Sequence, residues 1–200
     1  MPAFLFDIGN VLVTFDFQIA VRKFMPLCKV KTDPMKLTQN LRLAYENGEM
    51  ETETFIRICS ENIEFTGTEE QFRNFYCDIF EPITRMESLI QRLASKCPMC
   101  LFSNTSELHK DHLLSSFSVF RHFSKGVYSY IARSSKPKKE IYLEAIRQLD
   151  VPSEEIIYVD DLAENILTGQ EFGFQCWKYN HNNHSLFEEW LKNELKILTD

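Results

Sequence analysis

The chain has no excess of basic residues, no long apolar run and little glycine or proline. Of its 200 residues, 22 are Lys or Arg and 29 are Asp or Glu, a net charge of −7. That balance excludes nonspecific binding to nucleic acid or to an anionic membrane, since both need a basic surface. A small anionic ligand still fits wherever a site supplies local positive charge. No apolar run approaches membrane-spanning length, and Met1-Pro2-Ala3-Phe4 carries no basic leader and meets Asp7 too early for a signal peptide. A soluble, cytoplasmic chain is expected. Six cysteines are present, but Cys97-Pro98-Met99-Cys100 has no second pair to complete a zinc site and no helix start to activate a thiol. They read as reduced structural thiols. With 6 Gly and 7 Pro against 44% hydrophobic and 13% aromatic residues, disorder is excluded. The length allows one domain plus, at most, one small insertion.

Four short apolar runs stand out: Ala3 to Phe6, Cys100 to Phe102, Ile156 to Val159 and Phe174 to Trp177. The first three are continuous rather than alternating, as in strands buried on both faces of a parallel sheet. Helical patterns separate them, through Leu89, Ile90 and Leu93, then Ile141, Ala145, Ile146 and Leu149. Phe187, Trp190, Leu191, Leu195 and Leu198 form a last one, behind a Ser185/Glu188 capping box. This alternation predicts an α/β fold with a doubly wound parallel sheet. From about Phe17 to Phe80 the pattern is helical only. Leu37, Leu41 and Ala44 make one stripe, and Phe72, Phe75, Tyr76, Ile79 and Phe80 another, opened by a Thr68/Gln71 capping box. The expected division is a core of residues 1–15 and 82–200 with a helical insertion at 16–81. Pro82 could start the next helix.

Each of the first three runs ends in polar residues: Asp7, Ser103-Asn104-Thr105 and Asp160-Asp161. Ligands of an open parallel sheet bind beyond the carboxyl ends of its strands, so these groups would share one crevice. Lys136-Pro137, ahead of the Ile141 helix, is a fourth element. Three clustered carboxylates repel unless a divalent cation or a retained proton relieves them, and an all-oxygen ligand set suits Mg²⁺. Each feature alone could be helix-cap chemistry, and Lys136 could belong to a solvated cluster with Lys138 and Lys139.

Taken in order, the four segments resemble the motifs of the haloacid dehalogenase superfamily of phosphotransferases. Phe6-Asp7-Ile8-Gly9-Asn10-Val11-Leu12 is similar to motif one, Leu101-Phe102-Ser103-Asn104-Thr105 to motif two, Ser135-Lys136-Pro137 to motif three, and Tyr158-Val159-Asp160-Asp161 with Glu164-Asn165 to motif four. The insertion resembles the small type 1 cap. The Asp-x-Gly-Asn start and Asn47-Gly48-Glu49 with Phe55 resemble the glucose-1-phosphatase-like branch. The resemblance implies that Asp7 attacks phosphorus and forms an aspartyl-phosphate that water hydrolyses. It implies Mg²⁺ on Asp7, the Gly9 carbonyl and Asp161, with Asp160 a further ligand or a partner of the ligands. Ser103 and the Asn104 backbone would bind phosphoryl oxygens, and Lys136 would neutralise Asp7 and the phosphoryl group. A small phosphorylated metabolite is the expected partner, with neither nucleic acid nor membrane, and the chain is expected to be a monomer or weak dimer.

Gly9 departs from the superfamily's usual pattern, in which a second Asp protonates the leaving alkoxide. An aldose 1-phosphate would suit that loss, because its hemiacetal leaving group needs less help from an acid. A dehalogenase also lacks the acid but does without metal, and so has no use for Asp160-Asp161. A degenerate member that binds a phosphorylated ligand without turnover is the other alternative. Asp16 could supply the proton, although a solvated or capping role is favoured. Glu46 and Glu49 could face the site and select substrate, and His109 could line the crevice or lie outside it. His181-Asn182-Asn183-His184 reads as an exposed polar turn.

Overall fold

The computed structural model describes residues 2–193 and 195–197. The chain opens with β1 (Ala3–Phe6) and β2 (Val13–Phe15), then runs through α1 (Phe17–Phe24), α2 (Pro34–Leu37), α3 (Gln39–Glu46), α4 (Thr52–Asn62) and α5 (Glu69–Cys77) before returning in β3 (Phe80–Pro82). There follow α6 (Thr84–Leu93), β4 (Met99–Ser103), α7 (Glu107–Ser116), β5 (Lys125–Tyr128), α8 (Ser129–Ala132), α9 (Lys139–Leu149), β6 (Ile156–Asp160), α10 (Ala163–Glu171), β7 (Gln175–Lys178) and α11 (His184–Asn193).

Five strands form one parallel sheet in the order β5-β4-β1-β6-β7, with Leu5 level with Cys100 on one side and Tyr158 on the other. The expected doubly wound sheet is therefore present. Its central strands read as unbroken apolar runs because both faces are covered. Phe4, Phe6, Leu101, Ile157 and Val159 face Leu89 and Leu93 of α6 and Phe187 and Leu191 of α11. Ala3, Leu5, Phe102, Ile156 and Tyr158 face Ile141 and Ala145 of α9 and Ile166 of α10. Each fully buried large side chain contributes about 1.5–3 kcal/mol relative to exposure.

The helices between β2 and β3 have an apolar cluster of their own, centred on Phe24, Tyr45, Phe55, Phe72 and Tyr76. β2 and β3 pair antiparallel, Thr14 opposite Glu81, so this segment leaves and rejoins the rest of the chain at one place. Asp16 caps α1, accepting from the Gln18 amide at 2.8 Å. The Thr68/Gln71 capping box forms at α5.

Several local expectations need correction. Leu37, Leu41 and Ala44 do not lie on one helix: α2 ends at Leu37, α3 starts at Gln39, and Leu37 is exposed. Pro82 ends β3, and α6 begins two residues later. Ser185 cannot cap α11, which begins at His184 directly after a 3-10 turn capped by the Asn180 side chain. Leu198 lies outside the described residues. Of the polar turn, His184 is buried, its Nδ1 2.8 Å from the Tyr179 hydroxyl, because α11 folds that end of the turn onto the core.

Candidate functional site

The carboxyl ends of β1, β4 and β6 and the loop before α9 meet at one end of the sheet. Asp7 directly follows β1 and is 8% exposed. Its Oδ1 accepts from the Ile8 amide at 2.7 Å and lies 2.9 Å from Lys136 Nζ. The Lys136 ammonium is buried, and its three donors have three acceptors: Asp7 Oδ1, Asp160 Oδ2 at 2.7 Å and the Phe102 carbonyl at 2.9 Å. Burial alone would depress the Lys136 pKa, but the facing charges of Asp7 and Asp160 raise it, so it stays charged. Asp7 is pushed up to about 7, chiefly by burial and further by Asp160, with Lys136 opposing.

The two neighbouring carboxylates differ. Asp160 is fully buried and takes hydrogen bonds from Lys136, the Tyr158 hydroxyl at 2.6 Å, the Leu162 amide at 2.9 Å and both oxygens' contacts with Asn165 Nδ2. Burial would raise its pKa, yet Lys136 and these donors hold it below the usual carboxylate range. Asp161 is only half-buried and receives Asn10 Nδ2 at 3.0 Å. Oxygens of Asp7, Asp160 and Asp161 lie within 4.8 Å of one another. Among the described residues the Gly9 carbonyl accepts no hydrogen bond. Two aspartates with spare lone pairs beside that carbonyl are a donor set of the all-oxygen kind that Mg²⁺ takes.

The Asn104 side chain is taken up by the lysine loop. It donates to the Lys136 carbonyl at 3.0 Å and accepts from the Lys136 amide at 2.8 Å, tying the end of β4 to that loop. Ser103 is buried beside it. A Cβ at Gly9 would lie 2.9 Å from the ring of Phe15, so a side chain there requires that exposed ring to shift.

Two chambers meet at Gly9, Phe15, Ser103 and Asn104. One, about 180 Å³, includes Asp7, Asn10, Lys136 and Asp161. The other, about 240 Å³, is walled by Phe15, Phe17, Ile79, Phe80 and Leu113, with Arg42, Glu46 and His109 as its titratable groups. His109 is thus inside the crevice, buried, stacked on Tyr76 and bonded through Nε2 to the Tyr76 carbonyl at 3.0 Å. Burial lowers its pKa to about 4. Burial raises that of Glu46 to about 7 against the pull of Arg42. Glu49 is exposed.

A family model for haloacid dehalogenase-like hydrolases matches residues 1–173. The chain belongs to that family. This hydrolase is 24% identical over 178 residues to a sesquiterpene phosphatase of Aspergillus oryzae, covering 86% of each chain. In fold it is similar to a HAD family enzyme of Bacteroides thetaiotaomicron, with a TM-score of 0.83 at 21% identity over 94% of this chain and 98% of that one. The same bacterial enzyme has been solved in complex with magnesium and inorganic phosphate, at a TM-score of 0.82, 20% identity and coverage of 92% and 96%. A predicted HAD-like hydrolase of Porphyromonas gingivalis gives 0.79 at 23% identity, over 100% of this chain and 98% of that one.

The sequence reading of this hydrolase left four site residues without a role: Asn10, Tyr158, Asn165 and Arg42. The first three act through a partner that only the fold brings near. Asn10 is a non-glycine in the left-handed region at φ 54°, in a tight turn that asparagine tolerates.

Proposed function

We propose that this hydrolase is a Mg²⁺-dependent phosphatase that cleaves small phosphomonoesters through an aspartyl-phosphate on Asp7. The observation that carries the reading is Asp7 itself, one oxygen pinned by Lys136 and Ile8, its carboxylate within 4.8 Å of those of Asp160 and Asp161, on the wall of a chamber of about 180 Å³. Asp7, the Gly9 carbonyl and Asp161 would hold Mg²⁺, which when bound supplies positive charge against the nucleophile and the phosphoryl oxygens. Asp7 Oδ2 attacks phosphorus in line, and the alcohol leaves into the second chamber. Lys136 offsets charge on the transferred group, while Asp160 keeps Lys136 in place. Ser103 offers its hydroxyl to the phosphoryl oxygens. Water then hydrolyses the acyl-phosphate and restores Asp7.

Residues 16–81 act in this reading as a cap whose inner wall chooses the leaving group. An aldose 1-phosphate fits best. Phe15, Phe17 and Phe80 offer ring faces to a sugar, and its hemiacetal oxygen asks less of an acid than an ordinary alcohol does where position 9 carries none. The apolar share of that wall and the sesquiterpene phosphatase relative support a second reading, a small apolar alkyl phosphate. A panel of aldose 1-phosphates, prenyl phosphates and simple alkyl phosphates separates the two. Hydrolysis is expected to vanish with EDTA, return with Mg²⁺, and fall by at least about 10³-fold in Asp7→Asn. Undiminished turnover in that variant would remove the aspartyl-phosphate from the account.

A further inference from the structure

We infer that Glu46 is the acid that protonates the leaving oxygen, standing in for the side chain that position 9 lacks. The inference rests on the phosphatase reading of the same site and adds a catalytic residue to it. Three titratable side chains line the leaving-group chamber, and two cannot serve. Arg42 does not release a proton in proteins, and its guanidinium is turned to the Met35 carbonyl at 3.1 Å and over the Phe17 ring at 4.5 Å. His109 is neutral near pH 7, and its Nε2 proton is committed to the Tyr76 carbonyl.

Glu46 differs on both counts. It lies in the last turn of α3, and among the described residues its carboxyl takes part in no ion pair within 4 Å. Burial there raises its pKa to about 7, so a share of the carboxyl stays protonated at neutral pH, with Arg42 opposing and with the Tyr76 hydroxyl and His109 also facing it. The backbone around it is pinned to the reacting centre from two sides. The Glu46 carbonyl accepts from Ser129 Oγ at 2.6 Å, and that same oxygen receives the Thr105 amide at 2.9 Å, two residues beyond Ser103. Asn47 is hydrogen-bonded to Ser135, the neighbour of Lys136. Nothing in the packing of α3 alone requires this attachment, which sets the end of a cap helix by the phosphate chamber.

The proton balance closes. As the P–O bond to the alcohol breaks and the bond to Asp7 Oδ2 forms, the Glu46 carboxyl gives its proton to the departing oxygen and becomes carboxylate. In the second half-reaction that carboxylate takes a proton from the water attacking phosphorus, so phosphate leaves and both acids return to their starting states.

The test uses 4-nitrophenyl and phenyl phosphate, which share the phenyl ring and differ by one para nitro group that makes the leaving oxygen much less basic. In Glu46→Gln, kcat/KM is expected to fall by about 10²-fold or more for phenyl phosphate and less than about threefold for 4-nitrophenyl phosphate, which needs no proton. Glu46→Asp keeps a carboxyl and should recover part of the phenyl phosphate rate, which guards against a variant that merely packs badly. Equal losses on both esters, or a change confined to KM, would overturn the acid role and leave the phosphatase reading intact. Failure of the wild-type protein on both esters with Mg²⁺ present would instead overturn the phosphatase reading, and this inference with it.

Discussion

Asp160 and Asp161 are adjacent in sequence and opposite in circumstance. Asp160 is ringed by donors from Lys136, Tyr158, Leu162 and Asn165, and each of its oxygens has at least two of them. Among the described residues Asp161 has one hydrogen-bond partner, Asn10, and it lines the chamber. Asp160→Asn would turn an amide NH₂ toward other donors and strip Lys136 of half its counter-charge in a buried place. Removing one member of a buried ion pair costs about 3 kcal/mol or more, which in a chain of this size is a fall of roughly 6–12 °C in Tm. Asp161→Asn should leave Tm within about 2 °C yet raise the Mg²⁺ concentration for half-maximal activity by at least about tenfold. Thermal melts and metal titrations of the two variants check this. Similar Tm losses in both would show that the pair shares one role. The aspartates themselves were legible because they follow an apolar run, but which one holds the lysine depends on Tyr158 and Asn165, whose roles no spacing reveals.

At the scale of elements, the central strands were readable because burial on both faces leaves them no polar position. β5 was not: Lys125 is exposed, Gly126 follows, and only Val127 is buried, as suits the edge of a sheet. The break between α2 and α3 escaped notice for a related reason, since Leu37 has an apolar side chain and helical spacing but an exposed position. The turn after α3 shows how an element end is held in register with the site. Gly48 has φ +70°, and a Cβ there would lie 2.0 Å from the Tyr130 carbonyl oxygen. The close approach of this turn to α8 is what allows Ser129 to reach the Glu46 carbonyl. Gly48→Ala must therefore both adopt a left-handed conformation, costing about 1–2 kcal/mol, and push the turn off α8. A loss of about 2–3 kcal/mol is expected, with a fall in kcat/KM that is larger for phenyl phosphate than for 4-nitrophenyl phosphate because Glu46 moves with the turn. A variant that melts early but treats both esters as the wild type does would show that α3 need not be placed so tightly.

Across the whole molecule, apolar burial divides into two bodies that meet at the crevice. The sheet and its flanking helices bury Phe4, Phe6, Leu101, Ile141, Tyr158 and Phe187 without help from any residue between Phe17 and Asp78. The inserted helices bury Phe24, Phe55, Phe72 and Tyr76 among themselves, joined from α7 by Leu108 and by His109, which stacks on Tyr76. Asp7, Lys136 and the acidic pair all belong to the first body, and Arg42 and Glu46 to the second, so in the proposed reaction chemistry and selection fall to different parts of the chain. The antiparallel pairing of Val13–Phe15 with Phe80–Pro82 supplies a stem that a two-residue turn such as Asn-Gly could close. Replacing residues 16–79 by that turn should leave a folded parallel sheet, visible by circular dichroism, that still hydrolyses 4-nitrophenyl phosphate when Mg²⁺ is present. Its rate should be lower, because Asp7 and Lys136 would now be open to water and their mutual attraction weaker. The discriminating measurement is the ratio of kcat/KM for an aldose 1-phosphate to that for a simple alkyl phosphate. The shortened chain should show only the ratio set by leaving-group basicity, with any excess over it in the full-length protein belonging to the inserted helices. If the ratio is unchanged by the deletion, selection lies in the sheet body, and the wall formed by Phe17, Arg42 and Glu46 is packing alone.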